Sequence, residues 1–278
     1  MEAIYAQGAS LIQMFGRWDL GRVHEAFQEE SSRRGLRGVL GVAALGLVYD
    51  ALLPVQKGLL REISELRLGE MPSDGSVICI AYAFPEHVID AIAVEAEDGF
   101  DMERWSVYAK EYEALNSALD GTAARIAEMV GGFAIPATPV VEEGEIVEAV
   151  DYYPLAVSHR VPAEQSGVGW RGRNELVVNS RYGCAIRLAS IVTGLPLKRT
   201  PPVEEECGDC RACLDACPIL DNKERLENYR EDCLRYMESL GLDSRVCGKC
   251  IKACADSPVF RENRTIPRET AGGVYYTK

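Results

Sequence analysis

Residues 207–220 read "CGDCRACLDACPIL" and set four thiols within eleven positions of a 278-residue chain. Cys207, Cys210, Cys213 and Cys217 follow C-x2-C-x2-C-x3-C-P, with Pro218 in place. In that spacing a tight loop wraps three thiolates around three corners of an iron–sulfur cube, and the fourth cysteine, carried away on a helix, points at a neighbouring cluster. A second set of cysteines is therefore required. The stretch "DCLRYMESLGLDSRVCGKCIKAC" (232–254) supplies Cys247, Cys250 and Cys254 in C-x2-C-x3-C, with Cys233 fourteen residues before Cys247. The crossover rule assigns Cys207, Cys210, Cys213 and Cys254 to one [4Fe-4S] cluster and Cys217, Cys233, Cys247 and Cys250 to the other. The exchange of Cys217 and Cys254 is the part of that pairing that spacing alone leaves open. Two structural zinc sites are the competing reading, although zinc knuckles rarely run three cysteines in successive C-x2-C steps into C-P.

The bulk composition agrees with metal ligation. No secretory start is visible: "MEAIYAQGASLIQMFGRWDLGR" lacks a basic head followed by an apolar run and has no twin arginine, so the chain is expected to be cytoplasmic. Ten cysteines in that compartment are not expected to pair as structural disulfides. The net charge of −13 argues against a general affinity for nucleic-acid phosphates and points to a small molecule or a protein partner. The most apolar stretch, "GVLGVAALGLVYDALLPV" (38–55), is broken by Asp50 and Pro54 before it could span a bilayer, and reads as a buried helix.

Periodicity divides the chain into three parts: a helical N-terminal region (1–70), an α/β domain (71–198) and a cysteine-rich domain (199–278). In the middle part "SVICIAYAF" (76–84) reads as a buried strand, residues 102–132 as a long amphipathic helix ending at Gly131 and Gly132, and "FAIPATPVV" (133–141) as a short strand. A helix near residues 156–167 and strands at 175–179 and 186–197 complete a mixed α/β domain. "KRTPPVEEE" (198–206) has the proline and charge content of a linker. Cys79 and Cys184 read as small core residues, and His24 and His87 as surface residues.

The segment "SGVGWRGRNELVVNSRYG" (166–183), followed by "LASIVTGLPL" and the two cysteine blocks in this order, resembles epoxyqueuosine reductase, with reductive dehalogenases as more distant relatives. The resemblance covers roughly residues 76–260. It implies a nitroreductase-like α/β domain that holds cobalamin base-off beside the nearer of two [4Fe-4S] clusters, the clusters lying in a bacterial ferredoxin-like domain. On that reading Gly167, Gly169 and Gly172 let backbone approach a bulky ligand, Trp170 offers a flat apolar surface, and Arg173 and Asn174 bind a phosphate or amide side chain of the corrinoid. A tight helix-to-strand turn with Trp170 as a core plug explains the same residues without a ligand. No D-x-H-x-x-G motif is present to supply a histidine to cobalt.

The family places a general-acid aspartate in "V-D-x-x-P" ahead of the glycine motif. Here "VDYYP" (150–154) makes Asp151 the nearest match, two residues too far upstream, and strict counting reaches Tyr153. Asp151, Tyr153 and His159 are the candidate proton donors. The family often carries a C-terminal extension that helps hold transfer RNA, whereas about 24 residues follow Cys254 here, and "ADSP" stands where the family has C-P. A nucleic-acid substrate is therefore not expected. The implied partners are an external low-potential electron donor of ferredoxin or flavodoxin type and either a small-molecule substrate or a corrinoid protein. An electron-transfer or activator protein that reduces a redox centre on a partner is the alternative to an enzyme.

Overall fold

The computed structural model describes residues 20–92, 102–138, 148–204, 206–242, 246–261 and 274–277. Helix α1 (Leu20–Arg34) leads into strand β1 (Gly38–Ala44). Helices α2 (Leu45–Ala51) and α3 (Pro54–Leu68) follow, with Pro54 in the first turn, where its missing N–H breaks no helical bond. Next come β2 (Ser76–Ala83), α4 (Glu86–Ala91), the long α5 (Met102–Met129) and β3 (Phe133–Ile135). A 3-10 turn (Ala149–Tyr152) and α6 (Arg160–Gln165) precede the small hairpin of β4 (Trp170–Arg171) and β5 (Val177–Val178), and β6 (Ile186–Thr193) ends this half. The cysteine-bearing part holds α7 (Ala212–Asp215), α8 (Pro218–Asp221), α9 (Tyr229–Ser239), α10 (Lys249–Asp256) and α11 (Pro258–Arg261), after which β7 (Tyr275–Tyr276) returns to the sheet.

The main sheet has the order β3-β6-β2-β1-β7, and every pairing in it is antiparallel. Strand and helix alternate in the sequence, yet no parallel pair results. Between β1 and β2 the chain passes through two helices, out and back, and re-enters the sheet in the opposite direction. Both faces are covered. Leu40, Val42, Ile78, Ile80 and Tyr82 share one cluster with Phe27 of α1 and Leu115, Leu119 and Ile126 of α5. Val39, Cys79 and Ala81 point the other way, into a second cluster with Ala163 and Val168, while Ala43 and Val77 meet Leu45, Val48 and Leu60 of α2 and α3.

This double burial corrects two expectations. Residues 38–55 do not form one buried helix: Gly38–Ala44 is a fully buried strand, and helix begins only at Leu45. An apolar run without alternation fits either element, and Gly41 breaks the tie because a Cβ there would lie 2.3 Å from the Ser166 carbonyl oxygen, a close approach available to a strand against a loop. The helical region proposed for 1–70 therefore contributes a strand to the sheet, and the domain proposed for 199–278 contributes another through β7. Residues 1–19 of that region, and the end of the strand proposed for 133–141, lie outside the described residues. The stretch read as a linker is pinned at Thr200, which is buried, donates its backbone N–H to the Val42 carbonyl and accepts the Val42 N–H on its hydroxyl at 2.8 Å. His24, expected at the surface, stacks on Tyr275 at 4.5 Å with its Nε2 buried, whereas His87 is exposed. Among the described residues no helix is long and apolar enough to cross a membrane.

Candidate metal centres

Local sequence sets where each thiol points. Cys207 and Cys210 sit on a loop whose turn is closed by Cys210 N–H donating to the Cys207 carbonyl at 3.0 Å, with Gly208 at φ 52. Cys213 lies in α7, and Cys217 is the N-cap of α8, where Pro218 occupies the first helical position. Cys233 projects from α9. Cys250 and Cys254 are four apart on α10 and so lie on one face, a turn from each other.

The eight cysteines separate into two groups. Cys207, Cys210, Cys213 and Cys254 line one small cavity that is partly open to solvent. Burial, and behind it the charges that Cys254, Cys207 and Cys210 carry as thiolates, push the Cys213 thiol up to about 11. Cys217, Cys233, Cys247 and Cys250 form the other group. Burial followed by the charges of Cys217 and Cys247 pushes Cys233 up to about 11. Burial, then Cys247, Cys217, Cys233 and Cys213, pushes Cys250 up further still. Cys213 and Cys217 share a buried cluster against which Cys250 packs, so the two groups lie side by side. Among the described residues no three His, Cys, Asp or Glu side chains gather closely enough to hold a single metal ion.

The α/β half grips both groups. The indole N–H of Trp105 donates to the Cys247 carbonyl at 2.8 Å, and Gly248, at φ 73, lies so close to Ile92 and the Tyr108 ring that a Cβ would come within 2.9 Å of both. On the other side the β4–β5 hairpin closes over the first group. Arg173 and Asn174 line the Cys207 cavity, and Arg173 donates to the Gly208 carbonyl at 2.6 Å. Lys223 donates to the Arg173 carbonyl at 2.8 Å and pairs with Glu175 at 3.4 Å. Glu175 holds a left-handed φ of 63, which is costly for a residue with a side chain and persists here among ion pairs with Lys223, Arg160 and Arg171.

Each glycine of the motif stands where a side chain would collide with the protein itself. A Cβ on Gly167 would meet the Pro201 carbonyl oxygen at 2.1 Å, one on Gly169 the Val178 carbonyl oxygen at 2.2 Å, and one on Gly172 the Val178 side chain at 2.5 Å. Trp170 stacks on Phe260, which lines the cysteine cavity, at 6.4 Å, and its buried indole N–H has no hydrogen-bond partner among the described residues. Asn174 donates to Cys184 Sγ at 3.2 Å and accepts the Leu176 N–H. In this structure these six residues serve the hairpin and the first thiol group.

None of the three candidate proton donors lines that cavity. Asp151 accepts the Glu148 N–H at 2.8 Å and so closes the 3-10 turn. The Tyr153 hydroxyl accepts from Arg230 of α9 at 3.0 Å. His159 has both ring nitrogens engaged: the Pro136 carbonyl, 2.7 Å from Nε2, can only accept, so Nε2 carries the proton and Nδ1 accepts from the Ser190 hydroxyl at 2.9 Å. Loss of water around the ring lowers its pKa to about 4, with the Arg187 charge acting in the same direction.

Cys184 is the residue that sequence reading missed. It is buried, as expected of a core residue, but its sulfur is within hydrogen-bond reach of Cys254 Sγ and 3.8 Å from the Cys250 carbonyl, at the junction of the two groups. Its neighbour Gly183, at φ 58, brings backbone so close that a Cβ would lie 3.3 Å from Cys254 Sγ. The only sequence signal was the Gly-Cys pair in "SRYGCA" (180–185).

No protein-family model matches the chain. It is 30% identical over 197 residues to an epoxyqueuosine reductase of Pseudomonas aeruginosa, a stretch that takes in 70% of this chain and 47% of that protein. It is 29% identical over 158 residues to the Bacillus subtilis epoxyqueuosine reductase, covering 53% of this chain and 35% of that one. The chain spans about half or less of the length of these relatives. Among solved structures, the epoxyqueuosine reductase from Streptococcus thermophilus aligns over 89% of this chain and 69% of its own, at 20% identity and a TM-score of 0.43.

Proposed function

We propose that this chain is an iron–sulfur reductase of the epoxyqueuosine reductase kind, in which Cys207, Cys210, Cys213 and Cys254 hold one [4Fe-4S] cluster and Cys217, Cys233, Cys247 and Cys250 the other. One observation carries the reading: cysteines far apart in sequence gather as two adjacent foursomes, the first around a cavity that it shares with few other polar groups. The sequence similarity to epoxyqueuosine reductases supports the reaction class. The clusters would relay single electrons from an external low-potential donor, and this chain's part is to bind them, keep them adjacent and limit their contact with water. Thiols whose pKa is raised by burial bind iron only after losing their protons, so loading weakens as pH falls. Cobalamin as electron acceptor belongs to the same reading through the resemblance.

The alternative, an electron-transfer or activator protein that reduces a centre on a partner, is not favoured by the similarity to epoxyqueuosine reductases. Anaerobic reconstitution with iron and sulfide, metal counting and cobalamin titration test both. About eight irons per chain are expected. Uptake of cobalamin by the isolated chain favours the reductase; eight irons with no uptake favour the activator; stoichiometric zinc with no iron overturns both.

A further inference from the structure

The β4–β5 hairpin has a task written in its contacts. Arg173 contributes a guanidinium to the wall of the Cys207 cavity and is anchored there by its bond to the Gly208 carbonyl, inside the C-G-D-C loop itself. Asn174, next to it, is buried and lines the same wall. It holds Cys184 Sγ from one side, while the Leu176 N–H fixes its carbonyl end, so the amide cannot turn over. Cys184 in turn donates its S–H to the Cys250 carbonyl at 3.8 Å, next to Gly183, which packs against Cys254 Sγ. A thiol beside ligand sulfurs presents a weak S–H dipole to them.

We propose that Arg173, Asn174 and Cys184 form an outer shell of the cluster held by Cys207, Cys210, Cys213 and Cys254, and that this shell raises the cluster's reduction potential. The proposal rests on the two-cluster reading above. One-electron reduction adds a negative charge to the cluster and its four thiolates; a nearby cation and hydrogen bonds to the sulfurs stabilise the reduced form more than the oxidised one. Arg173 supplies the charge, Cys184 the S–H, and Asn174 is a positioning residue that aims the thiol. Lys249, buried near Cys247 and bonded to Tyr236, lies on the side of the other group, so the informative comparison is each cluster against itself.

The test is an anaerobic redox titration of the fully loaded chain, followed by electron paramagnetic resonance, for the parent, Arg173→Gln and Cys184→Ala. Each variant is expected to keep about eight irons and to move one of the two midpoint potentials to more negative values, leaving the other in place. Arg173→Lys, which retains the charge, and Cys184→Ser, which retains a donor, are expected to restore most of the parent value. Should Arg173→Gln fail to load, Cys184→Ala decides alone, since it removes no charge and adds no bulk. Unchanged potentials in variants with a full iron complement overturn the proposal and leave the cluster reading intact. A parent chain that never reaches eight irons overturns the cluster reading and this inference with it.

Discussion

His159 shows how a residue of ambiguous sequence meaning acquires a single one. Its ring is a bridge between the Pro136 carbonyl and Ser190 of β6, and the neutral Nε2–H tautomer is the form that satisfies both. With a folded pKa of about 4 against an ordinary 6.5, the unfolded chain takes up the proton first as pH falls. The stability this residue contributes is therefore complete above about pH 6.5 and is lost progressively toward pH 4. Urea titrations at pH 7 and pH 5 are expected to show a larger drop in midpoint for the parent than for His159→Gln, which has no proton to gain in that window; equal drops would discard the assignment. A lone histidine in "SHR" carried no such information, because nothing local names its partners 23 and 31 residues away. Gly167, Gly169 and Gly172 were legible as positions without room for a side chain. Their neighbours, Pro201 and Val178, were not, since the close contacts come from elsewhere in the chain.

At the scale of elements, α10 carries the strongest test of the crossover. Cys250 and Cys254 are one turn apart, yet the first gathers with Cys247, Cys217 and Cys233 and the second with Cys207, Cys210 and Cys213. Cys250→Ser and Cys254→Ser are expected to abolish different members of the pair of reduced-cluster signals, each leaving about four irons per chain. Loss of the same signal in both variants would rule out the crossed arrangement. The cysteine spacing suggests the foursomes because a loop of fixed length can reach only certain corners of a cube. What covers them was not legible. Trp105, Gly248 and Tyr108 read as helix face and turn residues, and only the packing of α5 against the Cys247 loop turns them into a wall. Strands β2 and β6 were legible as short apolar runs, while β1 was not, for glycines in a run buried on both faces leave no periodicity to read.

The whole molecule is closed by its last described residues. Tyr275 and Tyr276 pair with Leu40 and Val39 at the open edge of β1, and Thr277 exchanges hydrogen bonds with Gly38, 2.7 Å to its hydroxyl and 3.0 Å from its N–H. The Tyr276 hydroxyl meets Asn179 and Ser180 near the hairpin, and the Tyr275 ring covers His24 of α1. Val274 is buried beside Gly167, in the same core cluster as Val39 and Val168. This short strand thus ties helix, sheet and glycine loop together across more than 230 residues of sequence, a distance over which no local pattern can act. Removing residues 274–278 takes away one buried valine, worth about 1.5–3 kcal/mol on its own, and uncovers unpaired backbone groups along β1 that invite another chain to pair there. The truncated chain is expected to unfold at lower urea than the full one and to associate increasingly with concentration in sedimentation measurements. An unchanged midpoint together with a monomer at every concentration would mean that the sheet edge is sealed by other contacts, and that β7 is an ornament of the fold instead of its clasp.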